Sequence, residues 1–297
     1  MRVAVTGSSG LIGTALRASL SANGHQVLRL VRRREQSADE ISWDPAAGRL
    51  DGSRLDGVEA VVNLAGAGLG EHRWTDGYKR AIRDSRVNAT WTLATAIAGL
   101  SDPPRVLVSQ SRIDAYGGGH GAEIIDEDEP LGEGFLADVC RDWEEAAAPA
   151  TAADIAVCFT RMGAVMSQRG GTLARMLPLF RLGLGGPLAG GRQYWSFVSL
   201  ADAVRALRFL IELHGCTGPY NVTAPEPVTN AEFTRVLARA LRRPTVLPVP
   251  ELVLRTVLGE MTDQLVVSLR VVPARLSAAG FVHRHPDATA VVASALR

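Results

Sequence analysis

Apolar positions along the chain alternate between two patterns. Short apolar runs at 3–5, 26–31, 58–64, 106–109 and 155–161 have strand length and few polar interruptions, as buried parallel strands do. Between them, apolar residues recur at helical spacing. Leu16 and Leu20 share a face after residue 14, and 74–100 carries Ile82, Val87, Trp91 and Leu93. Helical patterns at 135–148, 173–184, 230–242 and a short one ending at Leu258 follow. Asn23-Gly24-His25 and Asp102-Pro103-Pro104 punctuate the pattern as turn and breaker. Strand alternating with helix predicts a Rossmann-like, doubly wound parallel sheet. Apolar helices at 173–184 and beyond 226 predict a smaller C-terminal α/β lobe. The expected division is 1–170 with about 193–225 in the large domain, and about 171–192 with 226–297 in the small one. Residues 183–192, rich in glycine, read as a mobile loop.

The first strand runs into Thr6-Gly7-Ser8-Ser9-Gly10-Leu11-Ile12-Gly13, and a helix starts immediately after. Strand, glycine turn and helix N-terminus together form the layout that holds a dinucleotide pyrophosphate. Backbone N–H groups and the helix dipole face the negative charge, and side chains must be absent where the backbone approaches it. Gly7, Ser9, Gly10, Leu11, Ile12 and Gly13 are therefore candidate cofactor contacts. The second strand ends at Arg32-Arg33-Arg34, with no acid before Glu35. Arg32 lies 19 residues beyond Gly13. A carboxylate there would bind a ribose 2′-OH, whereas a cation accommodates a 2′-phosphate. Arg32 and Arg33 thus point to NADP(H). The third buried run ends in Asn63-Leu64-Ala65-Gly66, at the strand end where open α/β sheets bind ligands.

Composition narrows the classes. The 297 residues carry 46% hydrophobic and 21% charged residues and a net charge of +1, which excludes bulk attraction to nucleic acid or an anionic membrane. Lys79 is the only lysine. Cys140, Cys158 and Cys216 show no CxxC spacing, so neither a metal site nor a disulfide framework is expected. The first strand begins at Arg2 and no apolar stretch approaches membrane-spanning length, so a cytoplasmic protein, monomer or homodimer, is expected.

The stretches VTGSSGLIG, VVNLAG, WTDGYKRAIRDSR, VCRDWE, FRLGLGGPLAGGRQYWSFV and TNAEFTRVLARALRRP with VVPARLSAAGF resemble an atypical extended branch of the short-chain dehydrogenase/reductases. It belongs to the NAD-dependent epimerase/dehydratase superfamily and has its own C-terminal domain of unknown function. The resemblance implies that Asn63, Leu64 and Ala65 pass the adenine ribose and that Arg86 turns inward toward the cofactor. It also implies that Arg161 and the backbone at Val165 wall the nicotinamide side.

Active members of that superfamily use a tyrosine and, four residues later, a lysine on the helix after an acidic loop. Glu144 matches a glutamate that often follows the lysine by four, which puts Cys140 at the lysine place and Leu136 at the tyrosine place. Neither residue can do that chemistry. Two hydroxyls remain, Ser111 after the strand 106–109 and Tyr116 in a Tyr-Gly pair. Each is a candidate catalytic residue, and each has the alternative reading of a packed, satisfied side chain. Two functions follow. One is an NADP(H)-dependent oxidoreductase or epimerase-like enzyme acting on a small molecule. The other is a sensor that kept the dinucleotide site and lost catalysis.

Overall fold

The computed structural model describes residues 1–245 and 248–297. β1 (Arg2–Val5), α1 (Leu11–Ala22), β2 (Gln26–Val31) and β3 (Glu40–Ser42) open the chain. β4 (Ala60–Asn63), α2 (Asp76–Ala98), β5 (Val106–Arg112), β6 (Ile124–Ile125), α3 (Phe135–Glu145), α4 (Ala148–Ala152), β7 (Ala156–Met162) and β8 (Ala164–Met166) follow. Next come α5 (Gly171–Arg181), β9 (Tyr194–Trp195), β10 (Phe197–Ser199), α6 (Leu200–Glu212) and β11 (Gly218–Val222). The remaining elements are β12 (Val228–Thr229), α7 (Asn230–Ala240), α8 (Glu251–Leu258), α9 (Thr262–Val266), β13 (Arg270–Val271), α10 (Ala274–Ala278) and α11 (Ala288–Ala295).

Seven strands pair in parallel in the order β11-β7-β5-β4-β1-β2-β3. Side-chain alternation along each strand explains the two layers of helix. Val3 and Val5 face Leu16 and Leu20 of α1 and Leu207 of α6. Ala4 and Val61 face Leu93 and Ile97 of α2 on the opposite side. Burying each large aliphatic side chain stabilises the fold by about 1.5–3 kcal/mol. The strand order reverses between β1 and β4, so their carboxyl ends border the crevice of a doubly wound sheet.

A third apolar cluster is distinct from the two that flank the sheet. It joins Leu173 and Leu177 of α5, Phe233 and Leu237 of α7, and Val291 and Val292 of α11, with Trp195 and Phe197 between them. A capping box between Thr229 and Glu232 starts α7.

Three expectations need correction. β5 does not stop at Ser109, because its ladder with β7 runs on through Ser111↔Arg161 to Arg112↔Met162. The helix expected over 135–148 divides into α3 and α4, the second carrying a proline in its first turn, where the missing N–H costs nothing. The glycine-rich segment 183–192 is tied down. Leu188 N donates to Asn230 Oδ1 at 2.8 Å, and Ala189 N donates to the Val249 carbonyl at 2.9 Å. Among the described residues, no helix is long and apolar enough to cross a membrane.

Candidate dinucleotide and proton-transfer site

The turn after β1 is made by absence of side chains. Gly7 has φ +60°, and a Cβ there would overlap the Leu64 carbonyl at the end of β4. A Cβ on Gly13 would overlap the Gly7 carbonyl and come within 2.8 Å of Ser8 Cα. Gly10 caps α1 without a side-chain hydrogen bond, and no acid occupies the first turn. Ser9 and Gly10 are exposed, Leu11 and Ile12 half-buried and Gly13 buried. The cradle therefore fits a pyrophosphate: bare backbone at a helix start, with no carboxylate to repel it.

Thr6 locks this turn to the neighbouring strand. Its Oγ1 donates to Asn63 Oδ1 at 2.7 Å and accepts from Leu64 N at 2.9 Å and Ala65 N at 3.2 Å. Asn63 Nδ2 then donates to Thr90 Oγ1 at 2.8 Å. Asn63 is fully buried, so its side chain holds the crevice together, while Leu64 and Ala65 border it.

The two expected phosphate-binding arginines part company. Arg33 forms a fork on Glu40, with Nη1 2.8 Å from Oε2 and Nη2 2.6 Å from Oε1. Arg29 reaches the same buried carboxylate at 2.8 Å. Arg32 is exposed and carries no ion pair among the described residues.

Arg86 does turn inward. It is 6% exposed, donates to the carbonyls of Ile82 (2.8 Å) and Ala67 (2.9 Å), and stacks on Trp143. Burial without a paired carboxylate pulls its pKa down to about 10, and Nε has no partner.

At the end of β5 the chain assembles a compact polar group. Ser111 Oγ donates to Glu144 Oε1 at 2.6 Å. Arg161, opposite Ser111 in the ladder, donates to the same carboxylate through Nε (3.0 Å) and Nη2 (2.9 Å). Burial works against the Arg161 charge, and Glu144 outweighs it, leaving the guanidinium pKa raised. Arg161 also lies over the Tyr116 ring, 4.9 Å from its centroid. Tyr116 is wholly buried, and its hydroxyl donates to Asn221 Oδ1 at 2.8 Å. Burial raises its pKa. Ser111 is likewise enclosed. Val165 lies in β8, beyond Arg161 along the chain.

On α3, Leu136 lines a cleft of about 250 Å³ with Trp74, Asp114, Phe135 and Glu260. Cys140 is 1% exposed, and burial pushes its thiol up to about 12, far from a reactive thiolate. No group of three His, Cys, Asp or Glu side chains among the described residues is arranged to hold a metal ion.

Thr6 and Glu144 are absent from the residues expected to form the site. Thr6 adjoins the glycine turn, and a hydroxyl there gives no sign of which strand it bridges. Glu144 carried a signal, its spacing from the tyrosine and lysine places. Its partners become visible only when β5, β7 and α3 meet.

The family model described as "NAD dependent epimerase/dehydratase family" matches residues 3–223, and a domain of unknown function, DUF1731, matches 249–295. "Epimerase family protein ML0860" of Mycobacterium leprae is 45% identical over 95% of this chain and 92% of its own. The crystal structure of human epimerase family protein SDR39U1 (isoform2) with NADPH is similar at a TM-score of 0.91 and 32% identity, covering 99% of each chain. A nucleoside-diphosphate sugar epimerase structure from Corynebacterium glutamicum is similar at a TM-score of 0.80 and 35% identity, over all of this chain and 58% of that one.

Proposed function

Because the chain belongs to the NAD-dependent epimerase/dehydratase family, we propose that it is an NADP(H)-dependent oxidoreductase or epimerase-like enzyme acting on a small molecule without a Tyr–Lys pair. The observation that carries the cofactor choice is the contrast between neighbours: Arg33 is committed to Glu40, while Arg32, just after β2, has no ion pair among the described residues. Arg32 is the 2′-phosphate ligand. The N–H groups of the Gly7–Gly13 turn take the pyrophosphate, and Leu64 and Ala65 border the adenine ribose. The bound human relative, SDR39U1 with NADPH, supports this reading.

The dinucleotide supplies hydride transfer when bound, and the protein supplies orientation and a path for one proton. Ser111 is the group assigned to a substrate oxygen, which requires this enclosed side chain to be uncovered when substrate binds. In the oxidising direction a substrate hydroxyl passes its proton to Ser111 Oγ as the Ser111 proton moves to Glu144, 2.6 Å away. Arg161 fixes that carboxylate, and Tyr116 positions Arg161 from beneath.

NADPH-loaded protein incubated with a carbonyl panel should lose nicotinamide absorbance with one substrate class. General acid–base assistance is worth about 10²–10⁴-fold, so Ser111→Ala should lower turnover at least tenfold with NADPH affinity unchanged. Turnover intact in Ser111→Ala would remove Ser111 from the mechanism. The sensor reading is favoured by one observation, the burial of Leu136 and Cys140 at the places of tyrosine and lysine. It prevails if no substrate consumes NADPH while NADPH changes association with a partner protein.

A further inference from the structure

A second recess lies on the outer side of α1, away from the sheet. Its volume is about 380 Å³, within the roughly 300–1,000 Å³ of small-molecule sites. Four separate parts of the chain wall it: α1 with Ser19, the segment after β8 with Ser167 and Arg169, the start of α6 with Arg205, and the C-terminal residues with Arg284 and Arg297. Four arginines face one recess whose lining includes no aspartate or glutamate.

The charge balance can be followed residue by residue. Arg205 Nη1 donates to Asp202 Oδ1 at 2.6 Å, so that charge is met from behind. Arg297 is exposed. Arg169 and Arg284 are exposed, and neither has an ion-pair partner among the described residues. Two uncompensated guanidinium groups therefore meet across a concavity, with Arg205 as a third donor. Concave walls focus such a field, and the planar forks of arginine match phosphate oxygens. The backbone behind Arg169 and Arg284 is held rather than loose. Arg169 N donates to Ser167 Oγ at 3.1 Å, Gln168 N to the Ala295 carbonyl at 3.0 Å, and Arg284 N to Asp202 Oδ1 at 3.1 Å.

We propose that this recess between α1, the 167–169 segment and the C-terminal residues binds a small, multiply charged phosphate-bearing anion, at a place separate from the Gly7–Gly13 turn. Overall charge argues for a small ligand over nucleic acid, since the whole chain is only +1. The site also touches the cofactor helix. Ser19 lines it, and Gly170, next to Arg169, packs within 3.5 Å of Leu11 Cδ2 if given a Cβ.

The probe is inorganic pyrophosphate, titrated calorimetrically into the full chain at fixed ionic strength, with sodium sulfate and vesicles bearing phosphatidic acid as further arms. Saturable pyrophosphate binding is expected, weakened at least tenfold by Arg169→Gln/Arg284→Gln and retained when saturating NADPH is present. Binding to vesicles but not to soluble pyrophosphate overturns the small-ligand assignment. So does affinity unchanged in the double variant, or binding lost when saturating NADPH is present, which would place the probe in the dinucleotide site. Absence of saturable binding overturns the proposal outright. Both substituted arginines are exposed, and unchanged thermal midpoints should show that the variants are folded.

Discussion

Ser111 and Glu144 stand 33 residues apart in the chain and 2.6 Å apart in the fold. The bond depends on three elements meeting: β5 presents the serine, α3 the carboxylate, and β7 brings Arg161 to hold it from the other side. The Glu144 side chain is 11% exposed and that of Arg161 6%, so neither charge is tolerable alone. Glu144→Ala should therefore destabilise the protein by about 3–5 kcal/mol, the usual cost of stranding one member of a buried pair. Arg161→Met added to Glu144→Ala should restore most of that loss. Urea unfolding of the single and double variants measures both. An additive double variant would mean that the two residues do not act as a pair.

Adjacent arginines at the end of β2 should separate affinity from stability. Arg32→Ala is expected to weaken NADPH binding by about tenfold to a hundredfold, the worth of one charge-assisted contact, with little change for NADH. Arg33→Ala should instead lower the thermal midpoint, because buried Glu40 loses one of its two cations. NADPH affinity should change far less. Fluorescence titration with both cofactors decides; equal losses for NADPH and NADH in Arg32→Ala would remove Arg32 from the 2′-phosphate.

Glycine matters at one place and is replaceable at another. Gly13→Ala drives a methyl group into the Gly7 carbonyl and to within 2.8 Å of Ser8 Cα, both of them backbone. The turn must open, at a cost of about 1–3 kcal/mol and at least a tenfold loss of NADPH affinity. Gly77→Ala, on the exposed first turn of α2, meets nothing nearer than 3.9 Å. It should raise stability by up to about 1 kcal/mol through helix propensity alone. Denaturation midpoints and NADPH titrations of both variants test the contrast.

These residues also mark what could be read without coordinates. Periodicity located β2 to the residue and placed the glycine turn between the first strand and the first helix, because both are set by local sequence. It could not end β5, since pairing with β7 carries the strand through Ser111. Nor could it distinguish Arg32 from Arg33: both are cations in one loop, and only the approach of Glu40 on β3 commits the second. The same holds for the cysteines. Cys158 and Cys216, 58 positions apart, pack into one apolar cluster, and both remain free. Long-range meetings of this kind leave no periodic trace.

Acid stability should depend on Asp202 of α6, whose side chain is 1% exposed. Burial works to raise its pKa. Hydrogen bonds from Arg284 N (3.1 Å), His285 N (2.8 Å) and Arg205 outweigh burial and leave the pKa lowered. A folded pKa below the unfolded value of about 3.9 gives stability that is fully present above about pH 5. That stability is lost as pH falls through the folded pKa. The carboxylate pins the segment 284–285 to the start of α6, so the loss should loosen the C-terminal packing first. Asp202→Asn presents one carbonyl oxygen where two carboxylate oxygens now accept. It should cost about 2–3 kcal/mol at pH 7, from donors left with weaker or missing partners. The gap between wild type and variant should begin to close as pH drops below about 4 and close fully only below the folded pKa, where the folded wild-type carboxyl is protonated too. Urea unfolding across pH 3–7 gives both curves, and a gap that stays constant over that range would show that Asp202 contributes through shape and not through its charge.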